Sequence, residues 1–399
     1  MHSKPLQTSL RGPAFPRLVT LCLALCLAGT AMAGAREQAR RIHDRIAGVP
    51  PSAADLDTMA TLISNGSPLD AALLAVEHPG FYNATLKTLV TPMTNEAQSP
   101  FEPLNDYTAT VIGIVRDERP YTDILSADVL YIGDPALGLP AYSVSDNAHY
   151  EALEAQGIDL KTGLVARTQS SLTGLPAEAT AGVLTTRAAA RAFFIDGTNR
   201  AMFRFTLLNH LCTDLEQIKD PTRPHDRVRQ DVSRSPGGDS RIFMNACVGC
   251  HAGMDPMVQA FAYYDYDYPE GNPDAGRLVY TPGRVQDKYL INANNFKYGY
   301  VTTSDRWDNY WRQGPNQLLG WDSGLPGYGN GAKSLGQELA ATEAFAECQA
   351  SKVFRTVCLR EPVDATDRAE VAALTASFKS NGYNLKRLFA EAAVYCMGD

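Results

Sequence analysis

The sequence has few of the patterns that identify the common hydrolases and nucleotide-dependent enzymes. Its 399 residues contain no phosphate-binding loop, no His-Glu-x-x-His zinc motif and no recognisable serine triad. Histidine is also scarce, since the chain has seven and none follows His251. These absences exclude phosphate-loop and His-Glu-x-x-His chemistry, and they leave few histidines that could bind a metal.

Positive charge and long apolar runs are limited as well. The chain has 36 Lys and Arg against 44 Asp and Glu, which gives a formal net charge of −8 at pH 7. An acidic surface argues against nucleic acid or anionic lipid as a partner. It would suit a basic redox partner, although many exported proteins are acidic for solubility alone. After residue 33 no segment is apolar and long enough to span a membrane.

The first 33 residues have the pattern of a secretory signal peptide. Three basic residues, Lys4, Arg11 and Arg17, precede a short apolar stretch over 18–31, and Ala31-Met32-Ala33 is a small-x-small cleavage site. The stretch is shorter than a membrane-spanning helix. We therefore predict that the mature chain is exported and periplasmic.

A single short motif carries most of the chemical information. Cys247-Val248-Gly249-Cys250-His251 has the Cys-x-x-Cys-His spacing of a c-type haem attachment site. Two thiols at this spacing can add to the two vinyl groups of haem, and the adjacent histidine can then ligate the iron. The motif predicts one covalent haem c, with Cys247 and Cys250 as attachments and His251 as the proximal iron ligand.

Two other interpretations of the cysteine pair were weighed against haem. A zinc site needs a second ligand pair at a characteristic spacing, and the chain has no second Cys-x-x-Cys. A thioredoxin-like redox pair would follow a strand in a βαβ unit, and no such pattern is present. Export to an oxidising compartment, where c-type cytochromes mature, also favours haem.

The other cysteines after the leader are even in number. They are Cys212, Cys348, Cys358 and Cys396. In an oxidising compartment four such residues predict two disulfides. Three connectivities are compatible with the sequence, which does not choose among them.

The pattern of apolar residues predicts a mainly α fold. We predict an N-terminal helical domain over 34–186, followed by a helical c-type cytochrome domain over 187–399 with long loops rich in aromatic residues and glycine. The clearest helices are predicted over 187–211, 366–380 and 384–395, a shorter helix over 123–131, and short strands near 277–280 and 298–302. Ser52, and either Asn105 or Asp106, are predicted to cap the helices that follow them. The aromatic residues in 257–336 were expected either to line a haem crevice or to form an ordinary core.

Several parts of the chain together resemble large bacterial proteins with a single c-type haem motif, which are related to the planctomycete-type cytochromes. These parts are the Pro-rich segment 48–55, the helix over 187–212, the motif region 247–256, and Phe345-Ala346-Glu347-Cys348 with Val353-Phe354. The resemblance covers most of the mature chain and implies haem binding with electron transfer. It implies no substrate.

The distal iron ligand is not evident in the sequence. After His251 the methionines are Met254, Met257 and Met397. The first two are predicted on the same helix as His251, on the same side of the haem. Met397 is therefore the candidate distal ligand, with upstream His210, His225 or an open position as alternatives.

The favoured prediction is an exported monohaem c-type cytochrome that transfers electrons to a redox partner protein. One alternative is a haem enzyme, a peroxidase-like or oxygenase-like oxidoreductase with an open distal site. Another is a subunit in which haem is structural and the N-terminal region binds a partner.

Overall fold

The computed structural model describes residues 34–195 and 197–398, so the predicted signal peptide lies outside the described residues. The fold is mainly α, as predicted. Within the described ranges, none of the helices has the length and apolar character needed to cross a membrane. The α-helices are α1 (Ala35–Ala47), α2 (Ala53–Ser64), α3 (Pro68–Val76), α4 (Lys87–Val90), α5 (Asp106–Arg116), α6 (Ala148–Ala155), α7 (Leu160–Gly163), α8 (Gln169–Thr173), α9 (Arg187–Phe193), α10 (Arg200–Leu211), α11 (Ser240–Ile242), α12 (Val248–Val258), α13 (Gly331–Ala340), α14 (Glu343–Cys358), α15 (Ala365–Ser380) and α16 (Leu385–Tyr395).

Within the described residues, the strands form three separate antiparallel pairs. They are β1 (Leu130–Gly133) with β2 (Leu164–Arg167), β3 (Tyr264–Asp267) with β4 (Arg277–Tyr280), and β5 (Arg306–Asp308) with β6 (Tyr328–Asn330). The strand predicted near 277–280 is confirmed as β4. The strand predicted near 298–302 is wrong, because only an isolated bridge between Arg229 and Tyr300 occurs there.

The short helix predicted over 123–131 is also wrong in its second half. A 3-10 turn covers Tyr121–Leu125, and the chain then enters β1. All four residues of β1 are buried, and the ring of Tyr131 lies directly against Gly113 of α5. Packing of the strand on α5 therefore overrides the local preference for a helix.

Two helix starts predicted from the sequence are confirmed by their caps. The Ser52 side chain accepts a hydrogen bond from the backbone N–H of Asp55 at 3.1 Å and begins α2. The Asn105 side chain accepts one from the N–H of Thr108 at 3.0 Å and begins α5. Each cap satisfies a backbone donor that has no partner within the helix.

The helix predicted over 187–211 is interrupted by a tertiary contact. It divides into α9 and α10, and Asn199 between them has a left-handed backbone conformation with φ 61°. The buried Asn199 side chain donates to the carbonyl oxygens of Phe261 and Tyr264, at 2.9 and 3.0 Å. Asparagine tolerates this conformation better than most residues, so the break follows from its pairing with the segment ahead of β3.

The hydrophobic core continues across the boundary predicted at 186/187. One cluster of buried apolar side chains extends from Ala39 to Cys396. The C-terminal helix α16 packs against α3 and α1, and the rings of Phe389 and Phe81 meet edge to face at 4.9 Å. The boundary itself stays a prediction, but the two predicted domains share this core.

The structure selects one disulfide connectivity among the three left open. Cys212 pairs with Cys348, and Cys358 pairs with Cys396, with Cα atoms 5.3 and 5.4 Å apart. The first bond joins the end of α10 to α14. The second joins the end of α14 to the residue after α16.

We predict that the double substitution Cys358→Ala/Cys396→Ala lowers the free energy of unfolding by about 2–4 kcal/mol, because the unfolded chain loses a closed loop. Urea denaturation of protein made without haem measures this change. The matched control is Cys247→Ala/Cys250→Ala, which removes two thiols but no disulfide. Equal stability losses in the two variants would contradict the assigned pairing.

Candidate haem site

Cys247, Cys250 and His251 lie at the start of α12. A π-helical turn over Phe243–Cys247 runs directly into this helix. Both thiols are partly buried, and within the described residues they are the cysteines that form no disulfide. Burial raises the pKa of the Cys250 thiol, whereas a redox-active Cys-x-x-Cys usually has a lowered thiol pKa. The two thiols are therefore free of disulfides, and the raised pKa of Cys250 gives no support to a redox thiolate.

The His251 ring is oriented by a carboxylate one helical turn away. Its Nδ1 lies 3.2 Å from Oδ1 of Asp255, at the i,i+4 spacing that brings side chains together on a helix. Asp255 is fully buried, whereas the His251 side chain is 20 % exposed. Because Nδ1 is engaged by Asp255, Nε2 is the ring nitrogen left for a metal.

Asp255 is kept ionised by Arg200 at the start of α10. Burial opposes ionisation, but Arg200 and His251 outweigh it and hold the pKa of Asp255 well below its usual range. Arg200 donates to both carboxylate oxygens of Asp255, through Nε at 2.8 Å and Nη2 at 3.1 Å. An ionised Asp255 is the state that accepts a hydrogen bond from Nδ1 of His251.

A second aspartate completes this buried charge cluster. Arg200 also donates to both oxygens of Asp231, at 2.8 and 3.1 Å. Arg229 donates to Asp231 as well, at 3.2 and 3.3 Å, and its guanidinium stacks over the Tyr289 ring at 4.6 Å. Two guanidinium groups thus face two carboxylates, so the formal charges balance within the interior.

An open pocket of about 390 Å³ adjoins the His251 ring. Its apolar lining comes mainly from Phe205 of α10, Leu215 and Met254, and its polar rim includes Arg200, Arg204 and Glu96; Ala201 also lines it. The Sγ atom of Cys250 lies 3.7 Å from the carbonyl oxygen of Leu215, which is a lining residue, but neither Cys247 nor Cys250 itself lines the pocket. The pocket therefore combines an apolar wall, cationic groups and the imidazole of the motif.

The other face of α12 is packed into the core. Gly253 allows the fully buried Trp311 ring to lie against the helix backbone, where a Cβ atom would collide with the indole. None of the residues lining the His251 pocket comes from 257–336. Several aromatic residues of that region, including Trp307 and Trp311, belong to the hydrophobic core, whereas Tyr298 and Tyr328 are exposed.

The candidates for the distal ligand are not brought to the His251 pocket. Met397 follows α16, and its carbonyl oxygen accepts a hydrogen bond from Arg41 of α1. His210 is fully buried, and its Nε2 lies 2.9 Å from the Tyr107 hydroxyl. Its burial, and to a smaller extent the positive charge of Lys352, lower the pKa of His210 well below the ordinary value. His225 is exposed in a loop.

The two methionines close to His251 are on its own helix. Met254 is buried and lines the pocket, as a residue one turn along α12 can do. Met257 is fully buried in the core. This placement matches the expectation that both follow His251 on one helix, and the structure offers Met397 no position beside His251.

Sequence reasoning found the motif and missed the residues that orient it. Asp255 stands four residues after His251, so a search for i,i+4 partners of the histidine would have found it. Arg200 and Asp231 are 55 and 24 residues from Asp255 in the chain, and no local pattern marks them. Searches of protein-family models, curated proteins and solved structures gave no match to this chain.

We predict that Arg200→Ala lowers the free energy of unfolding by about 3–5 kcal/mol, because it leaves Asp255 and Asp231 buried with too little compensating charge. The control is Arg204→Ala on the same helix, whose ion pair with Asp214 is more exposed and should be worth about 0–1 kcal/mol. Arg200→Lys keeps the charge and should lose less than Arg200→Ala. Denaturation in urea at pH 7 provides the comparison.

The stability difference between wild type and Arg200→Ala should also depend on pH. The pKa of Asp255 is lower in the folded protein than in the unfolded chain, where it is about 3.9. Asp255 therefore contributes its full stabilisation above about pH 3.9, and this stabilisation is lost as the pH falls through the folded pKa. The difference should therefore be largest near neutral pH and shrink below about pH 4. A difference that grows on acidification would contradict the assignment.

Proposed function

We propose that this chain is an exported c-type cytochrome that carries one covalent haem and transfers electrons. The observation that carries the proposal is the pair of unpaired, partly buried thiols beside a histidine whose Nδ1 is held by Asp255. The four other cysteines in the described residues are joined in disulfides, so the motif cysteines stand apart from the structural ones. The leader pattern in residues 1–33 supports export.

The residues present fit the group that the motif implies. Cys247 and Cys250 would hold haem through thioether bonds, and His251 would ligate iron through Nε2. Phe205, Leu215 and Met254 offer apolar surface beside the histidine. Haem would supply a one-electron couple. The chain's own groups orient the imidazole and, through the hydrogen bond from Nδ1 to Asp255, raise its basicity as a ligand.

The position of the motif at the surface supports electron transfer. Ile242 and Met244 in the turn before Cys247 are 46 and 49 % exposed, and Asn245 and Ala246 are also exposed. A group attached to thiols at such a place is within reach of a partner protein. The acidic net charge of the chain favours a partner with a basic surface.

We predict that wild-type protein made with the c-type maturation machinery keeps haem on the polypeptide in a denaturing gel. The double substitution Cys247→Ala/Cys250→Ala removes both attachment sulfurs and should abolish covalent haem. His225→Ala, which changes an exposed histidine outside the site, is the control and should load as wild type does. Absence of covalent haem from wild-type protein would overturn the proposal.

The lining of the His251 pocket favours a second candidate, a haem protein with an open coordination position. His251 is the only histidine among the described residues that line the pocket, and Met254, on the same helix, is the only methionine among them. Arg200 and Arg204 also line the pocket, but their guanidinium groups already donate to Asp231, Asp255 and Asp214. This arrangement favours an oxidoreductase or a gas-binding protein if the iron has no second strong ligand.

Optical spectra distinguish the two candidates. An electron-transfer cytochrome with two strong axial ligands has a sharp low-spin ferrous spectrum that carbon monoxide does not change, and its second ligand would then come from outside the residues that line the His251 pocket. A high-spin spectrum that shifts with carbon monoxide would favour the second candidate. The variant Met397→Ala tests the predicted distal methionine. Because Met397 lies beside α1, we expect the spectrum of this variant to equal that of the wild-type protein.

A further inference from the structure

A large groove lies far along the chain from the Cys-x-x-Cys-His motif. It has a volume of about 1030 Å³ and runs between α1, the segment around α4 and the end of α14. Its lining contains no residue of the motif or of the charge cluster around Arg200. We call it the α1 groove.

One side of the α1 groove is cationic. Arg40, Arg41 and Arg45 of α1 line it, and Glu37 and Asp44 of the same helix line it too. None of the three arginines forms an ion pair with a carboxylate of the described residues, whereas Arg36 of the same helix pairs with Asp57. The groove therefore holds more positive charge than its own acidic residues neutralise by direct contact.

Two of these arginines are bound to carbonyl oxygens, which leave their charge in place. Arg41 donates to the carbonyl of Met397, and Arg45 donates to that of Cys396 at 2.6 Å. Burial, then the charges of Arg41 and Arg360, lower the pKa of Arg45. Burial is the larger cause, and the smaller contributions of Arg41 and Arg360 show that other cations lie near Arg45.

The opposite side of the groove is apolar. Ala84, Leu89 and Pro92 line it, together with Leu359 just after α14. Leu359 is 72 % exposed, so its side chain is free to contact a bound molecule. Thr85, Thr88 and Thr356 add hydroxyl groups between the two sides. An apolar wall facing uncompensated guanidinium groups is complementary to a molecule with an anionic head and a hydrocarbon body.

We propose that the α1 groove binds an organic anion with an apolar chain, such as a medium-length alkyl carboxylate. The head group would meet Arg40 and Arg41, and the chain would lie against Leu89, Pro92 and Leu359. The site is independent of the proposed haem function, because no residue is common to the two.

Calorimetric titration of the wild-type protein with octanoate tests this proposal, with octan-1-ol and acetate as the matched probes. Octanoate should bind with one molecule per chain. Octanol lacks the charge and acetate lacks the chain, so each should bind at least about tenfold more weakly. Failure of octanoate to bind below about 10 mM, or equal binding of octanol, would overturn the proposal.

Charge reversal within the groove locates the site. Arg40→Glu changes an exposed side chain with no ion pair, so folding should be retained, and octanoate affinity should fall about tenfold or more. Ala84→Glu introduces a carboxylate on the apolar side and should have a similar effect. Arg36→Glu makes the same charge change on the same helix at a residue that does not line the groove, and it should lower the affinity less than Arg40→Glu does.

Two results of these titrations would contradict the proposed site. If Arg40→Glu and Ala84→Glu bind octanoate as wild type does, the anion is not in the α1 groove. Residue 399 lies outside the described residues, so Asp399→Asn is included as a further variant. Binding of octanoate to Asp399→Asn but not to wild type would mean that the arginines serve the chain's own carboxylate, and the proposal would be wrong.

Discussion

The ion pairs of Arg200 hold the haem motif in place. This guanidinium at the start of α10 binds both oxygens of Asp255 in α12 and both oxygens of Asp231 in the preceding loop. An unpaired charge in a protein interior costs several kcal/mol. The start of α10, the loop that contains Asp231 and helix α12 are therefore stable only when they pack together. This packing also orients the His251 ring, because Asp255 is the hydrogen-bond partner of its Nδ1.

The same helix connects the motif to the rest of the core. Arg200 is the first residue of α10, and Cys212 directly after its last residue is bonded to Cys348 of α14. Buried side chains such as Phe203 and Leu207 lie between these ends. The position of the His251 pocket therefore depends on both a balanced charge cluster and a covalent link to the C-terminal helices.

Arginines have two different roles in this protein. Arg200 and Arg229 are fully matched by Asp231 and Asp255, and such arginines build structure because their charge is neutralised where they lie. Arg40, Arg41 and Arg45 have no carboxylate at ion-pair distance among the described residues, and two of them are satisfied only by carbonyl groups. Hydrogen bonds to carbonyl groups leave a positive potential that attracts anions, and this difference separates the α1 groove from the His251 pocket.

The sequence by itself determined those features that depend on neighbours along the chain. The Cys-x-x-Cys-His spacing, the caps at Ser52 and Asn105, and the amphipathic helices over 366–380 and 384–395 all involve contacts within a few residues. Only the tertiary structure decided the break of the helix at Asn199, the strand Leu130–Gly133 and the disulfide pairs. It also decided which charges surround His251. These features depend on partners tens to more than a hundred residues away, and burial assigns such partners through packing and charge balance that no short stretch of sequence contains.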